Sequence, residues 1–253
     1  MEVFYLSGLA FLAGFVDSVV GGGGLIQIPA LFIFLPSRWT ASVPLVFGTN
    51  KLSSICGTGM AVARYSRQVR INWSSILPAG LTAFGFSLLG AATVTVISSR
   101  LLKPMILVLL IIVAVYTYLK KDFGSSHAPR FAARHEKWLG MLVGVVIGFY
   151  DGFFGPGTGS FLMFIFIGWF GFDFLTATAS AKVLNFATNL SAVSYFAATD
   201  HILYRYAVPM GLCNMAGAVA GTRMAMGKGN AFIRLFFLAV VGVMIVRFGF
   251  EVL

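Results

Sequence analysis

Four ionisable residues stand in or beside long apolar stretches of this chain: Asp17, Lys51, Asp151 and Lys182. An ionised side chain within hydrocarbon costs at least ~3 kcal/mol unless paired or hydrated, so each of the four needs a partner or a function. Both aspartates lead into glycine clusters, GFVDSVVGGGG at 14–24 and GFYDGFFGPGTG at 148–159. Each glycine costs a helix interior roughly 1 kcal/mol relative to alanine, so Gly21–Gly24 and Gly155–Gly159 interrupt the helices that carry them. Where a helix resumes, its first N–H groups carry partial positive charge, and the missing Cβ atoms let a small oxyanion approach them. Lysine adds a compact cation. Aspartate can carry a proton or pair with the lysine of its own half, and the residue types leave both roles open.

The candidate substrate contacts are Gly21, Gly22, Gly23, Gly24, Gln27, Thr49, Asn50 and Lys51, with Gly155, Gly157, Gly159, Lys182, Asn185 and Asn189. Asn185 and Asn189 are four apart and share a helix face. Ser53, Ser54, Thr188 and Ser191 add hydrogen-bonding capacity nearby. The competing reading is structural: polar side chains join membrane helices, and isolated glycines such as Gly80, Gly85, Gly90, Gly217 and Gly221 admit close helix packing. Nucleophilic or metal chemistry has no support. His127, His135 and His201 fall in loops, and no HExxH, GxSxG or P-loop pattern occurs, so neither an enzyme nor a cofactor is expected.

The elements that must position these groups are membrane helices. The chain is 58% hydrophobic and 10% charged, against about 25% charged in soluble domains, too few to cover a water-facing surface. Several windows approach the roughly 20 apolar residues that a spanning helix needs. The class is all-α and polytopic, with the lipid bilayer as its solvent. MEVFYLSGLAFLAG has no basic leader region, so the first helix is expected to be retained. Cys56 and Cys213 read as small buried residues. The net charge of +10 lies in short loops, which argues for topology rather than nucleic acid.

The chain also repeats itself. Gly14, Asp17, Gly21 and Gly23 align with Gly148, Asp151, Gly155 and Gly157 at an offset of 134. At an offset of 131, Lys51, Pro78 and Gly90 align with Lys182, Pro209 and Gly221. The first repeat covers 1–119, a cytoplasmic linker 120–138, and the second repeat 139–253. Each half reads as a helix (3–20; 139–154), a glycine break, a short apolar piece (24–35; 159–170) and three longer helices (44–65, 73–97 and 101–119; 176–197, 204–225 and 231–250). The short piece rises only about 18 Å, well under a hydrocarbon core of about 30 Å, so it belongs to a broken or re-entrant unit. An odd number of crossings per half inverts the second repeat. Arg64, Arg67, Arg70, the basic linker and Arg223 with Lys228 then share the cytoplasmic side, and Arg100 and Lys103 are exceptions. Inverted repeats with paired breaks are the pattern of secondary transporters, with the site where the breaks meet.

GFVDSVVGGGGLIQIPAL, FGTNKLSS, ARYSR, GFYDGFFGPGTGSF, TATASAKVLNFATN and the GxxxGTR at 217–223 resemble the sulfite exporter TauE/SafE family of permeases, in particular its YfcA-like branch. The resemblance implies a secondary carrier in a bacterial inner membrane. Its cargo would be small sulfur-containing or organic anions such as sulfite or sulfonates, moved outward and coupled to protons or another ion. It places the repeated glycine–acid motif on Asp17, Gly21–Gly24, Asp151, Gly155, Pro156, Gly157 and Gly159, and the TNKL element on Thr49, Asn50, Lys51 and Leu52. The second copy departs from the first at Pro156 and at SAKV, so the half-sites are unequal. An anion channel on the same scaffold is the alternative. Cargo, direction, coupling ion and oligomeric state do not follow from the residues.

Overall fold

The computed structural model describes residues 1–94 and 127–252. These residues are helical, without strands, in the order α1 (Glu2–Val20), α2 (Gly23–Phe34), α3 (Ser37–Thr40), α4 (Val43–Gln68), α5 (Trp73–Thr93), α6 (Ala133–Phe153), α7 (Thr158–Gly168), α8 (Phe174–Ala198) and α9 (Tyr204–Val252). The expected helix 101–119 and the end of 73–97 lie outside the described residues. One expectation changes: helix α6 begins at Ala133, inside the stretch read as linker. The two expected final helices lie within α9, on either side of a non-helical kink at Gly229 (φ 68°). Gly227 and Gly229 have open space around them, so the kink is not forced by a packed neighbour. Cys56 and Cys213 are free thiols and only half-buried.

Helix α2 folds back along α1. The Tyr5 ring, near the start of α1, stacks on Phe34, at the end of α2, with 5.4 Å between centroids. Gly23 lies against Ala13 and Asp17, where a Cβ would come within 2.7 Å of both. In the second half the outer ends also meet, while the short helix α7 packs mainly on α8. Phe131, just before α6, meets Phe170, just after α7, at 6.0 Å. At about 1.5 Å per residue the returning arms are roughly 16 to 18 Å long.

Packing exchanges helices between the two halves of the chain. The closest neighbour of α1 is α9, and that of α5 is α6. Gly217 of α9 lies on the Phe11 carbonyl and Gly221 on that of Phe15, while Gly90 of α5 lies on the Phe149 carbonyl and the Phe153 amide. Such contacts are backbone against backbone, and a side chain at any of them would have no room. The described helices therefore form two groups: α1, α2, α4 and α9 in one, and α5, α6, α7 and α8 in the other. They meet along α4 and α8.

Outward-facing residues are apolar, among them Phe4, Ile33, Leu81, Leu142, Leu212 and Leu235. This surface suits hydrocarbon. Helices α1 and α5 are each long and apolar enough to cross a membrane. The packing account separates two glycines that look alike in sequence. Gly85 has nothing within 4 Å, whereas Gly217 abuts the α1 backbone. Gly217→Leu is expected to destabilise by about 3 kcal/mol, the upper end of overpacking penalties, and Gly85→Leu to be neutral. Thermal unfolding of the detergent-solubilised variants checks this. Equal melting temperatures for the two would overturn the packing account.

Candidate functional site

The glycine turns are held by side chains that reach in from other helices. At the end of α1 the carbonyls of Ser18, Val19 and Val20 have lost their helical partners. They accept hydrogen bonds from Tyr65 (2.8 Å), Thr178 (3.4 Å) and Ser160 (3.0 Å), on α4, α8 and α7. Gly21 and Gly22 then adopt φ of 76° and 98°, values that side chains with a Cβ rarely tolerate. In the second turn Gly155 and Gly157 do the same at 89° and 82°. The Tyr150 hydroxyl donates to the Pro156 carbonyl (2.7 Å), and that of Thr158 to the Gly155 carbonyl (2.7 Å). The two turns touch. Gly21 lies so close to Gly159 that a Cβ on either would overlap the other's backbone.

Both buried lysines are paired, and the pairing is crossed. Lys51 Nζ is 2.8 Å from Asp151 Oδ2, and Lys182 Nζ is 2.7 Å from Asp17 Oδ2. Asp17 aligns with Asp151 and Lys51 with Lys182, so each lysine takes the aspartate of the other half. The expected pairing within one half does not form. Asp17 also accepts from the Gly23 amide through Oδ1 (3.3 Å). The anion at the start of α2 is thus the protein's own carboxylate. Asp17 is 18% exposed, against 1 to 5% for the other three side chains.

Around these pairs lies a small cavity of about 20 Å³, room for about one water. Its lining is Asp17, Gly22, Gly24, Asn50, Lys51, Ser54, Asp151, Gly155, Gly157, Thr158, Gly159, Asn185 and Asn189. Every one of these is glycine or polar, whereas ligand pockets are usually lined mainly by apolar groups. Asn185 and Asn189 are hydrogen-bonded to each other (3.2 Å), and Asn189 reaches Thr58 on α4 (3.2 Å). Asn50 is 4% exposed, and its Oδ1 has no hydrogen-bond partner. A buried amide oxygen left this way calls for a donor from whatever occupies the cavity.

Several residues singled out from sequence are placed elsewhere. Gly21 and Gly23 form the contacts behind the cavity wall, against Gly159 and against α1. Lys182 stands behind Gly159, 3.5 Å from where a Cβ on that glycine would be. Gln27 is fully buried and bound to Ser53, Ser54 (3.5 Å) and Asn214 (3.2 Å). Thr49 accepts from the Leu203 amide at the start of α9 (3.0 Å). Sequence reasoning missed Thr158, whose position directly after Gly157 was the available signal. It also missed Asn214, a lone amide in an apolar helix.

Removing one member of a buried pair leaves the other charge uncompensated, at about 3–5 kcal/mol. Crossing then gives a distinctive double-mutant pattern. Lys51→Ala/Asp151→Ala is expected to be more stable than Lys51→Ala alone. Lys51→Ala/Asp17→Ala should be the least stable, because it orphans both Asp151 and Lys182. Melting temperatures of the purified variants test this, and the reverse order would show pairing within each half.

The sulfite exporter TauE/SafE family profile matches residues 6–248. The probable membrane transporter protein ORF9 of a Sinorhizobium species is 39% identical over 227 residues, 89% of this chain and 84% of the relative. A probable membrane transporter protein of Haemophilus influenzae is 34% identical over 227 residues, 89% of this chain and 86% of its own. The probable membrane transporter protein YfcA of Escherichia coli K12 is 32% identical over 237 residues, 93% and 85% of the two chains. No solved structure matches this chain. The span matched by the family profile includes both glycine turns and the four charged residues of the crossed pairs, and the chain belongs to the TauE/SafE family of membrane transporters.

Proposed function

We propose that this protein is a multi-pass secondary carrier of a bacterial inner membrane. It moves small sulfur-containing or organic anions, such as sulfite or sulfonates, outward through the cavity between its glycine turns. One observation carries the reading: a chain that is 58% hydrophobic builds a central cavity from glycine and polar residues alone, with two lysines at or just behind its wall. Polar space of that kind in a membrane protein marks a path for a polar solute. The positive ends of α2 and α7 and the ammonium groups of Lys51 and Lys182 set its sign preference. Asn185, Asn189 and Thr158 supply neutral hydrogen bonds to substrate oxygens. Sulfite oxygens and sulfonate oxygens present the same acceptor geometry to such donors, so the cavity separates them by the size of the rest of the molecule.

The arrangement fits two repeats in inverted orientation with re-entrant hairpins at α1–α2 and α6–α7. What supports this is equivalence: crossed ion pairs at aligned positions, and Gly90 and Gly221 serving aligned helices in the same way. The relatives are named as membrane transporters, which supports transport rather than catalysis as the role.

Flux of sulfite and of sulfoacetate into proteoliposomes holding the purified protein tests the proposal. The expected result is saturable flux, abolished in Lys51→Ala/Asp151→Ala, which removes one cation yet leaves no unpaired charge. Linear, non-saturating conductance would replace the carrier by a channel. Undiminished flux in the double variant would remove Lys51 from the mechanism.

A further inference from the structure

The anion seats of the cavity are already filled. Lys51 holds the Asp151 carboxylate, and Lys182 holds that of Asp17, which also takes the Gly23 amide at the start of α2. Two lysines against two aspartates leave the quartet neutral. Among the described residues lining the cavity there is no other charged side chain. A bare anion entering this resting site therefore meets no uncompensated cation. It would have to share a lysine with a carboxylate, placing two like charges in one poorly hydrated space. A proton on the aspartate removes the conflict: the carboxyl turns neutral, the lysine is released, and the amide group it held becomes available.

Resting on the carrier reading above, we infer that the two carboxylates are built-in substitutes for the substrate and that the site exchanges charge one for one. Each anionic charge taken up is matched by one proton, delivered from the adjoining solution to Asp17 or Asp151, and both leave together on the other side. A monoanion travels with one proton and displaces one carboxylate. A dianion displaces both and travels with two. Transport is then electroneutral symport, indifferent to membrane potential and sensitive to the pH difference, and it runs outward only where the outward anion gradient exceeds the inward proton gradient.

The groups facing the aspartates agree with this assignment. Around Asp17 they are Lys182 and, one residue along, Tyr65, whose hydroxyl is committed to the Ser18 carbonyl. Around Asp151 they are Lys51 and Tyr150, whose hydroxyl is committed to the Pro156 carbonyl. Neither tyrosine donates to a carboxylate, so each aspartate's proton exchanges against its lysine alone. The unpartnered Oδ1 of Asn50, at 4% exposure, is an independent sign that the polar space beside the pairs is unfilled.

The experiment uses the full chain in proteoliposomes, with a pH-reporting dye inside and a potassium–valinomycin clamp on the potential. The probes are radiolabelled methanesulfonate, a monoanion, and sulfoacetate, a dianion. The expected stoichiometries are one proton per methanesulfonate and two per sulfoacetate. In the limiting range rates should rise about tenfold per unit of external acidification for methanesulfonate and about a hundredfold for sulfoacetate, and change less than twofold across the clamped potentials. Anion flux without proton movement, or flux driven by the potential, overturns the inference and leaves the carrier reading standing. Absence of flux for both probes overturns the two together. Asp17→Asn keeps the acceptor for Gly23 but frees Lys182 permanently. In that variant one proton per cycle should disappear and flux should acquire a potential dependence. Unchanged proton stoichiometry in Asp17→Asn also overturns the inference.

Discussion

Two lysine–aspartate pairs, each joining one half of the chain to the other, are the constraint on which this architecture rests. Four charges buried beside an apolar bundle are tolerable only as pairs at 2.7 to 2.8 Å. That requirement fixes the distance from α4 to α6 and from α8 to α1, and with it the position of the glycine turns. Gly155 and Gly159 lie against the two ammonium groups: a Cβ on Gly155 would stand 3.1 Å from Lys51 Nζ, and one on Gly159 3.5 Å from Lys182 Nζ. The glycines serve conformation and access at once. They allow the left-handed turns, and they clear the space in which the pairs form.

A chain reversal inside an apolar bundle exposes backbone groups that have no water to turn to. Here hydroxyl groups from three other helices take the last three carbonyls of α1. Asp17 takes the first amide of α2. These satisfying groups belong to helices far away in sequence, so the hairpin is stable only in the assembled bundle. Ser160 and Thr178 come from the second half and bind the first, which makes the α1 tip a joint product of both.

Much of this was legible in the residues. Glycine density located both turns to within two residues, because no other residue so disfavours a helix interior. The short apolar pieces revealed the returning arms by length alone. Asn50, Lys51, Asn185 and Asn189 fall on the cavity because helical spacing placed them beside the buried charges. The crossing of the pairs was not legible: two aspartates and two lysines of equal type carry no label for their partners, and separations of 100 and 165 residues leave no local signal. Gln27 and Thr49 looked like pocket residues for the same reason. They lie off the cavity lining, with hydrogen bonds to Asn214 on α9 and to Leu203 just before it, a helix whose neighbour only the fold decides. Glycines for packing and glycines facing open membrane, such as Gly217 and Gly85, are likewise identical until the opposing backbone is known.

The exchange of α5 and α9 changes what can move. Rocking of one repeat against the other would shear α9 from α1 and α5 from α6, along contacts where glycine backbones meet carbonyls. Such interfaces are rigid, since no side chain is present to change rotamer. The packed groups are α1, α2, α4 and α9 on one side, and α5, α6, α7 and α8 on the other. Lys51 and Asp17 belong to the first group, Asp151 and Lys182 to the second. Both ion pairs therefore cross the seam, as do the Ser160–Val20 and Asn189–Thr58 hydrogen bonds. Contacts inside the first group, such as those of Gln27 with Ser53 and Asn214, lie away from the cavity. In the proposed cycle, proton and anion thus act on the bonds that hold the seam closed and, within the first group, on the Asp17–Gly23 contact. Ligand chemistry and conformational change share the same four side chains.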